Sequence, residues 1–271
     1  MRRLKVIITA LSILLLTGCA SLHPAQQTAN KPDNNSFYFV QITDTHFGDR
    51  DFTERTRKVV EAINKLPMEI KCVVHTGDIT MNCIEDKEVV DGGLSVLQGL
   101  KVPIHYVPGN HDILPERLES TCKAYTDNFG PLISQQEYNG VIFLFVYTEP
   151  LRESFSVANY EPLGQLEEYL RQSKGKPVII CHHAPSIDDF YNNTMYEGWP
   201  KEARERWTRL INSYNVRAVI AGHFHKDEFH WQGDVPLYVS SSIAGYMGRQ
   251  VTFRIYTYRD GRLEYRTQYI E

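Results

Sequence analysis

Short apolar runs alternate with longer amphipathic stretches along the first two thirds of this chain. The runs FYFVQIT (37–43), KCVVHT (71–76), IHYVP (104–108), PVIIC (177–181) and RAVIA (217–221) are rich in β-branched and aromatic residues. Bounded by polar or glycine-containing clusters, they read as buried β-strands. Between them, apolar residues recur at helical spacing: Phe52, Thr56, Val59, Val60, Ile63 and Leu66; Val89, Val90, Leu94 and Leu97; Leu163, Leu166, Tyr169 and Leu170; Trp207, Leu210 and Ile211. Beyond residue 225 the period changes to that of strands, in EFHWQ, PLYVSSS, VTFRIYTY and RLEYRTQY, with Gly-Asp and Asp-Gly turns between several of them. An α/β half followed by a β-rich half predicts two packed mixed sheets flanked by helices. No internal repeat or second linker interrupts the pattern.

Each of the five early strand runs ends in a polar cluster. These are Asp44-Thr45-His46, Gly77-Asp78, Gly109-Asn110-His111-Asp112, His182-His183 and Gly222-His223-Phe224-His225. Open α/β sheets bind ligands outside the carboxyl ends of their strands, so carboxylates, imidazoles and one amide are delivered to one rim. Such a set can hold two metal ions, and paired metals with open positions hydrolyse phosphate esters. One cluster alone carries little information; five in this order, all at strand ends, carry a great deal. Mixed carboxylate and imidazole donors suit Mn, Fe, Zn or Ni better than Ca, and no cysteine cluster points to a thiolate zinc site.

These five blocks resemble those of the calcineurin-like metallophosphoesterase superfamily, from about Phe37 to the C-terminus. The resemblance implies a four-layer αββα sandwich and two metal ions. It places Asp44, His46, Asp78 and His225 around the first metal. It places Asp78, Asn110, His182 and His223 around the second, with Asp78 shared. His111 then stands unligated beside the substrate phosphate, with Asp112 as its orienting partner, and a metal-bridging hydroxide attacks phosphorus. His182 and His183 are adjacent and point to opposite faces of an extended chain, so one of them faces the metals; the family pattern favours His182. His75, His105 and His230 lie outside the blocks and read as packed or surface residues. Purple acid phosphatases have Asp-x-Gly in the first block and a Tyr three residues after the bridging Asp. This chain has Asp44-Thr45-His46 and Met81 there, and is more similar to class III cyclic-nucleotide phosphodiesterases and related small phosphodiesterases.

The N-terminus adds a compartment. A basic start precedes the 11-residue apolar run Val6–Leu16, too short to span a bilayer and suited to a signal-peptide core. Leu16-Thr17-Gly18-Cys19 resembles a bacterial lipobox. Residues 1–18 are then a signal peptide, Cys19 a lipidated N-terminus, residues 19–36 a polar tether spanning about 20–25 Å, and residues 37–271 the catalytic domain. This predicts a bacterial envelope protein facing the periplasm, with Ala20 favouring the outer membrane. The net charge of −4 falls to −7 once Arg2, Arg3 and Lys5 are removed, which disfavours long nucleic acid as a partner. Cys72 and Cys181 read as buried thiols, and an oxidising compartment permits a Cys83–Cys122 bridge.

The expected activity is dinuclear-metal hydrolysis of a phosphodiester in a small substrate. A phosphomonoesterase or pyrophosphatase on the same site is the alternative. A non-catalytic binding lipoprotein on a hydrolase scaffold would be signalled by a lost ligand, and none of the five blocks has lost one. Asp188-Asp189-Phe190-Tyr191, Trp199 and Gly245-Tyr246-Met247 could wall a pocket or lie on the surface.

Overall fold

Strand alternation sets the layering. In the computed structural model, which describes residues 36–153, 155–188 and 198–270, the first strand β1 (Phe37–Ile42) is buried on both faces. Phe37 and Phe39 face one core, Val40 and Ile42 another. The same division recurs in β2 (Ile70–His75), with Cys72 and Val74 opposed to Ile70 and Val73, and in β5 (Val141–Val146), β6 (Val178–Cys181) and β7 (Val216–Ala221). Strands buried on both faces read as continuous apolar runs, and that is how these appear in the sequence.

Two sheets result. A five-stranded sheet has the order β11-β10-β1-β2-β3, with β3 at Ile104–Tyr106, β10 at Val251–Arg259 and β11 at Arg262–Ile270. A six-stranded sheet has the order β4-β5-β6-β7-β9-β8, with β4 at Ile133–Tyr138, β8 at Glu228–Gln232 and β9 at Val235–Val239. Strands β1, β2 and β3 are mutually parallel, as are β5, β6, β7 and β9. Antiparallel β10, β11, β4 and β8 complete the sheets. Helices α1 (Phe52–Asn64) and α2 (Lys87–Leu97) pair with each other, and α1 packs on β10 and β11. The side chain of Asp86 caps α2 by accepting from the backbone amides of Glu88 and Val89. Helices α5 (Pro162–Gln172) and α6 (Lys201–Asn212) contact each other, and α5 covers β4 and β5. Helix α3 (Leu118–Asn128) and the one-turn α4 (Glu149–Arg152) complete the set used below. The architecture is the expected pair of mixed sheets between helical layers.

The aromatic layer between the sheets includes Phe39, edge-on to Phe143 and stacked on Tyr256, each at 4.9 Å between ring centroids. Such pairs add about 0.5–1.5 kcal/mol each beyond their burial. One polar device crosses the same layer. Gln41 Nε2 donates to Thr76 Oγ1 and to the Ala221 carbonyl, both at 2.8 Å, and Tyr256 Oη donates to Gln41 Oε1. It joins the residues just before Gly77-Asp78 and Gly222-His223, on opposite sheets.

Two strands fall outside the elements read from sequence. β4 and β5 form a hairpin in which Tyr138 pairs with Val141, and its two loop residues, Asn139 and Gly140, both have positive φ (49° and 79°). Asn-Gly before VIFLFV is a hairpin signal with a mechanism. Cys83 and Cys122 are free thiols, so the permitted bridge is not formed. The signal peptide, Cys19 and all but the last residue of the tether lie outside the described residues.

Candidate dinuclear metal centre

The backbone at the strand ends is unusual. Asp44, His46, Asp78, His223 and His225 all occupy the left-handed region, with φ between 46° and 69°. Each such residue costs roughly 1–2 kcal/mol, and strain of this kind gathers at functional sites. Surrounding hydrogen bonds hold it. The amide of Asp44 donates to Gly77 O (2.9 Å), that of His46 to Asp78 O (3.1 Å) and that of His223 to Asp44 Oδ2 (3.3 Å). Two glycines permit the close approach: a Cβ at Gly109 would collide with the Asp78 carboxylate, and one at Gly222 with Thr43 Oγ1 and Asp44 Oδ2.

Two groups of donors result. Asp44, His46 and His225 form one; Asp78, His183 and His223 form the other; within each group the donor atoms lie within 4.8 Å of one another. His225 Nε2 is 3.3 Å and His46 Nε2 3.8 Å from Asp44 Oδ1. His183 Nε2 lies 3.1 Å from Asp78 Oδ2 and 3.2 Å from both Asn110 Oδ1 and His223 Nδ1. Asp78 Oδ2 is also 3.8 Å from His46 Nε2, which puts this carboxylate between the groups. Ligands about 2.1 Å from a cation stand about 3–3.5 Å apart, so the spacings fit metal ions. The polar atoms fit as well. Asp44 Oδ1 and both ring nitrogens of His46 are buried and lack a hydrogen-bond partner among the described residues, a costly arrangement unless a cation compensates.

The geometry replaces His182 with His183. His183 Nδ1 donates to the Thr76 carbonyl at 2.7 Å, which leaves the Nε2 lone pair for a metal. His182 points away, its ring 5.6 Å from that of Trp199 and 5.2 Å from that of Trp207, and its Nδ1 is 3.2 Å from Thr148 Oγ1. Parity explains the outcome. Ile179 and Cys181 face the other sheet, Val178 and Ile180 the helices, and continuing the alternation sends His182 to the helices and His183 to the seam.

Asp112 is likewise not the partner of His111. Its fully buried carboxylate accepts from the amides of Ile79, Thr80 and Gly109, at 2.8 to 3.1 Å, and from Thr80 Oγ1. It thereby ties the loop after β2 to the loop after β3. His111 Nδ1 instead donates to Asn82 Oδ1 at 2.8 Å, and the His111 amide donates to Asp78 Oδ1 at 2.9 Å. Of the other histidines, His75 is buried with Nε2 2.9 Å from Thr45 Oγ1, His105 bonds Tyr138 and His230 bonds Glu228.

Electrostatics follow from burial and proximity. Burial raises the Asp78 carboxyl, but the charges of His183, His111 and His46 outweigh it and hold it well below the usual range. The same contest, with His225 and His183 prevailing, lowers Asp44. Burial alone would lower His183, yet Asp78 and Asp44 push it up to about 10. Burial dominates at His46, lowered to about 4, and at His182, lowered to about 3. Burial and the charge of Asp78 raise Asp112 to about 6 against the pull of its three amide donors. The two lowered carboxylates thus concentrate anionic charge where the donor groups meet.

His46, Asp78, Asn110, His111, His223 and His225 floor a cleft of about 590 Å³, lined also by Arg50, Met81, Arg152, Glu153 and Tyr246. Tyr246 packs 5.3 Å from His46 and 5.4 Å from His225 between ring centroids, and its hydroxyl donates to Asp49. Of the loops considered as pocket walls, Tyr246 therefore lines the cleft, whereas Trp199 is buried and residues 189–191 lie outside the described set. Sequence reasoning missed Asn82 and the whole group after β5.

Residues 37–227 match the family described as calcineurin-like phosphoesterase, and the chain belongs to that family. It is 28% identical over 211 residues to a protein of Colwellia psychrerythraea named probable cyclic nucleotide phosphodiesterase, covering 72% of this chain and 74% of that protein. It is 27% identical over 250 residues to serine/threonine-protein phosphatase CPPED1 of Mus musculus, covering 79% and 77%. Its fold is similar to that of a dimetal phosphatase from Danio rerio, with a TM-score of 0.59 and 17% identity over 87% of this chain and 99% of that one. The chain is a metal-dependent phosphoric ester hydrolase, and its family implies two divalent metal ions and small phosphoester substrates.

Proposed function

We propose that the protein is a phosphodiesterase of the bacterial cell envelope that uses two transition-metal ions. The observation that carries this reading is a pair of three-residue donor groups joined by Asp78 on the floor of an open cleft. Asp44, His46, Asp78 and His225 would hold one ion; Asp78, Asn110, His183 and His223 the other. Oxygen and imidazole nitrogen in these proportions suit Mn, Fe or Zn. The ions supply Lewis-acid stabilisation and an activated water.

The chain's own residues do the rest. Asp78 sets the spacing of the two groups, and its Oδ1 fixes the loop of His111 through the His111 amide. With Nδ1 committed to Asn82, His111 in its protonated form presents Nε2–H to the leaving oxygen, as general acid. Asn110 adds a donor oxygen without adding charge that would repel a phosphate. The phosphodiesterase name of the Colwellia relative favours a diester, whereas the phosphatase name of the mouse relative favours a monoester and supports that second reading.

The basic start, short apolar run and Leu-Thr-Gly-Cys segment support a lipid anchor at Cys19, a tether to residue 36 and a domain facing the periplasm from the outer membrane. Mass spectrometry of the mature N-terminus checks this, with lipid expected on Cys19 and lost in Cys19→Ser. For the activity, protein loaded with Mn, Fe or Zn is assayed on bis-nitrophenyl phosphate and nitrophenyl phosphate. Faster turnover of the diester is expected; the reverse order selects the monoesterase.

A further inference from the structure

We propose that the end of β5 adds a phosphate-binding arm to this cleft: Arg152 contacts a non-bridging phosphoryl oxygen of the substrate, and Glu149 is its positioning residue. The inference rests on the phosphoesterase reading of the site and deepens it.

β5 runs parallel to β6, so its carboxyl end opens on the same rim as the ligand-bearing loops. The chain turns through Tyr147 and Thr148 into α4, which begins with Glu149 and ends with Arg152. Arg152 lines the cleft together with Asp78, Asn110 and His223, and its side chain is 18% exposed. Its Nε donates to Glu149 Oε2 at 2.6 Å and its Nη2 to Glu153 Oε1, while Nη1 has no hydrogen-bond partner among the described residues. A guanidinium fixed along one edge presents the remaining N–H groups in a planar fork that suits phosphate oxygens.

Glu149 strengthens the case. It is 1% exposed, and its Oε1 has no hydrogen-bond partner among the described residues. A carboxylate this deep is costly unless it is paired. Among the described residues, the group it forms an ion pair with is the guanidinium that it fixes against the cleft. Glu153 is 42% exposed on its side chain, so solvent screens its hold on Arg152. The pair therefore supplies directed donors at a set place with little excess positive charge.

The test compares wild type, Arg152→Gln, Arg152→Lys and Glu149→Gln, each loaded with Mn. Calorimetry measures the affinity for inorganic phosphate, and assays give kcat and KM for bis-nitrophenyl phosphate. Metal content and Tm are recorded for each. Arg152→Gln is expected to weaken phosphate binding and lower kcat/KM by roughly 10–100-fold, with the metal content of wild type. Arg152→Lys should recover part of that loss, and Glu149→Gln should show a smaller loss of phosphate affinity. Unchanged phosphate affinity in the Arg152 variants overturns the proposal, whatever happens to Tm. Loss of metal in proportion to phosphate affinity overturns it too, since the residues would then serve the donor groups. If Arg152→Gln does not fold, Arg152→Lys and Glu149→Gln decide by the same readout. A wild type that turns over no phosphoester defeats the parent reading; a wild type that turns over the ester while the variants match it defeats only the arm.

Discussion

The two sheets bring different chemistry to one cleft. The five-stranded sheet supplies Asp44, Asp78 and Asn110 after β1, β2 and β3, with His46 the one imidazole among its donors. The six-stranded sheet supplies imidazoles, His183 after β6 and His223 and His225 after β7, and places Arg152 beyond β5. Carboxylates gathered alone would repel one another, and buried imidazoles alone would resist taking on charge. Both donor groups straddle the seam, so the centre depends on how the sheets dock. That docking rests on the aromatic layer and on Gln41, which ties the ends of β2 and β7 together.

Removing the residue common to both groups should break the centre most completely. Asp78→Asn is expected to lower turnover by roughly 10³-fold or more and to reduce bound metal, read by elemental analysis beside an activity assay. On the same rim but outside the donor set, His111→Ala should keep its metal and lose roughly 10²–10⁴-fold in activity. Its loss should shrink for nitrophenyl esters, whose leaving groups need little protonation, and equal losses on alkyl and nitrophenyl esters would remove the acid role.

The adjacent histidines sharpen the comparison on the six-stranded sheet. His183→Ala should lose metal. His182→Ala should keep it and instead cost about 2–4 kcal/mol of stability by urea titration, for the space left beside Trp199 and Trp207. The seam itself gives the smallest expected effect. Gln41→Leu strands the Thr76, Ala221 and Tyr256 polar groups and should cost about 1–3 kcal/mol.

Much of this was legible in the chain because strand ends and ligand blocks coincide. Asp44, His46, Asp78, Asn110, His223 and His225 follow runs whose period is plain; the structure brings the last five to one cleft and sets Asp44 against His46 and His225 beneath it. The choice between His182 and His183 was not legible, since β6 is apolar on both faces and its residues do not reveal which face meets the other sheet. The partner of His111 was also hidden. Asp112 is next to it in sequence, but its carboxylate is consumed by the backbone amides of Ile79, Thr80 and Gly109, and the role passes to Asn82, 29 residues away. The arm after β5 escaped notice because its hairpin did, although Asn139-Gly140 marks that hairpin.

Anomalous scattering from crystals of the Mn-loaded protein tests the central claim most directly. The account predicts two ions. One is held by Asp44, His46 and His225, the other by Asn110, His183 and His223, and both touch Asp78. A single ion, or an ion bound through His182 with Asp78 outside its coordination sphere, would contradict it.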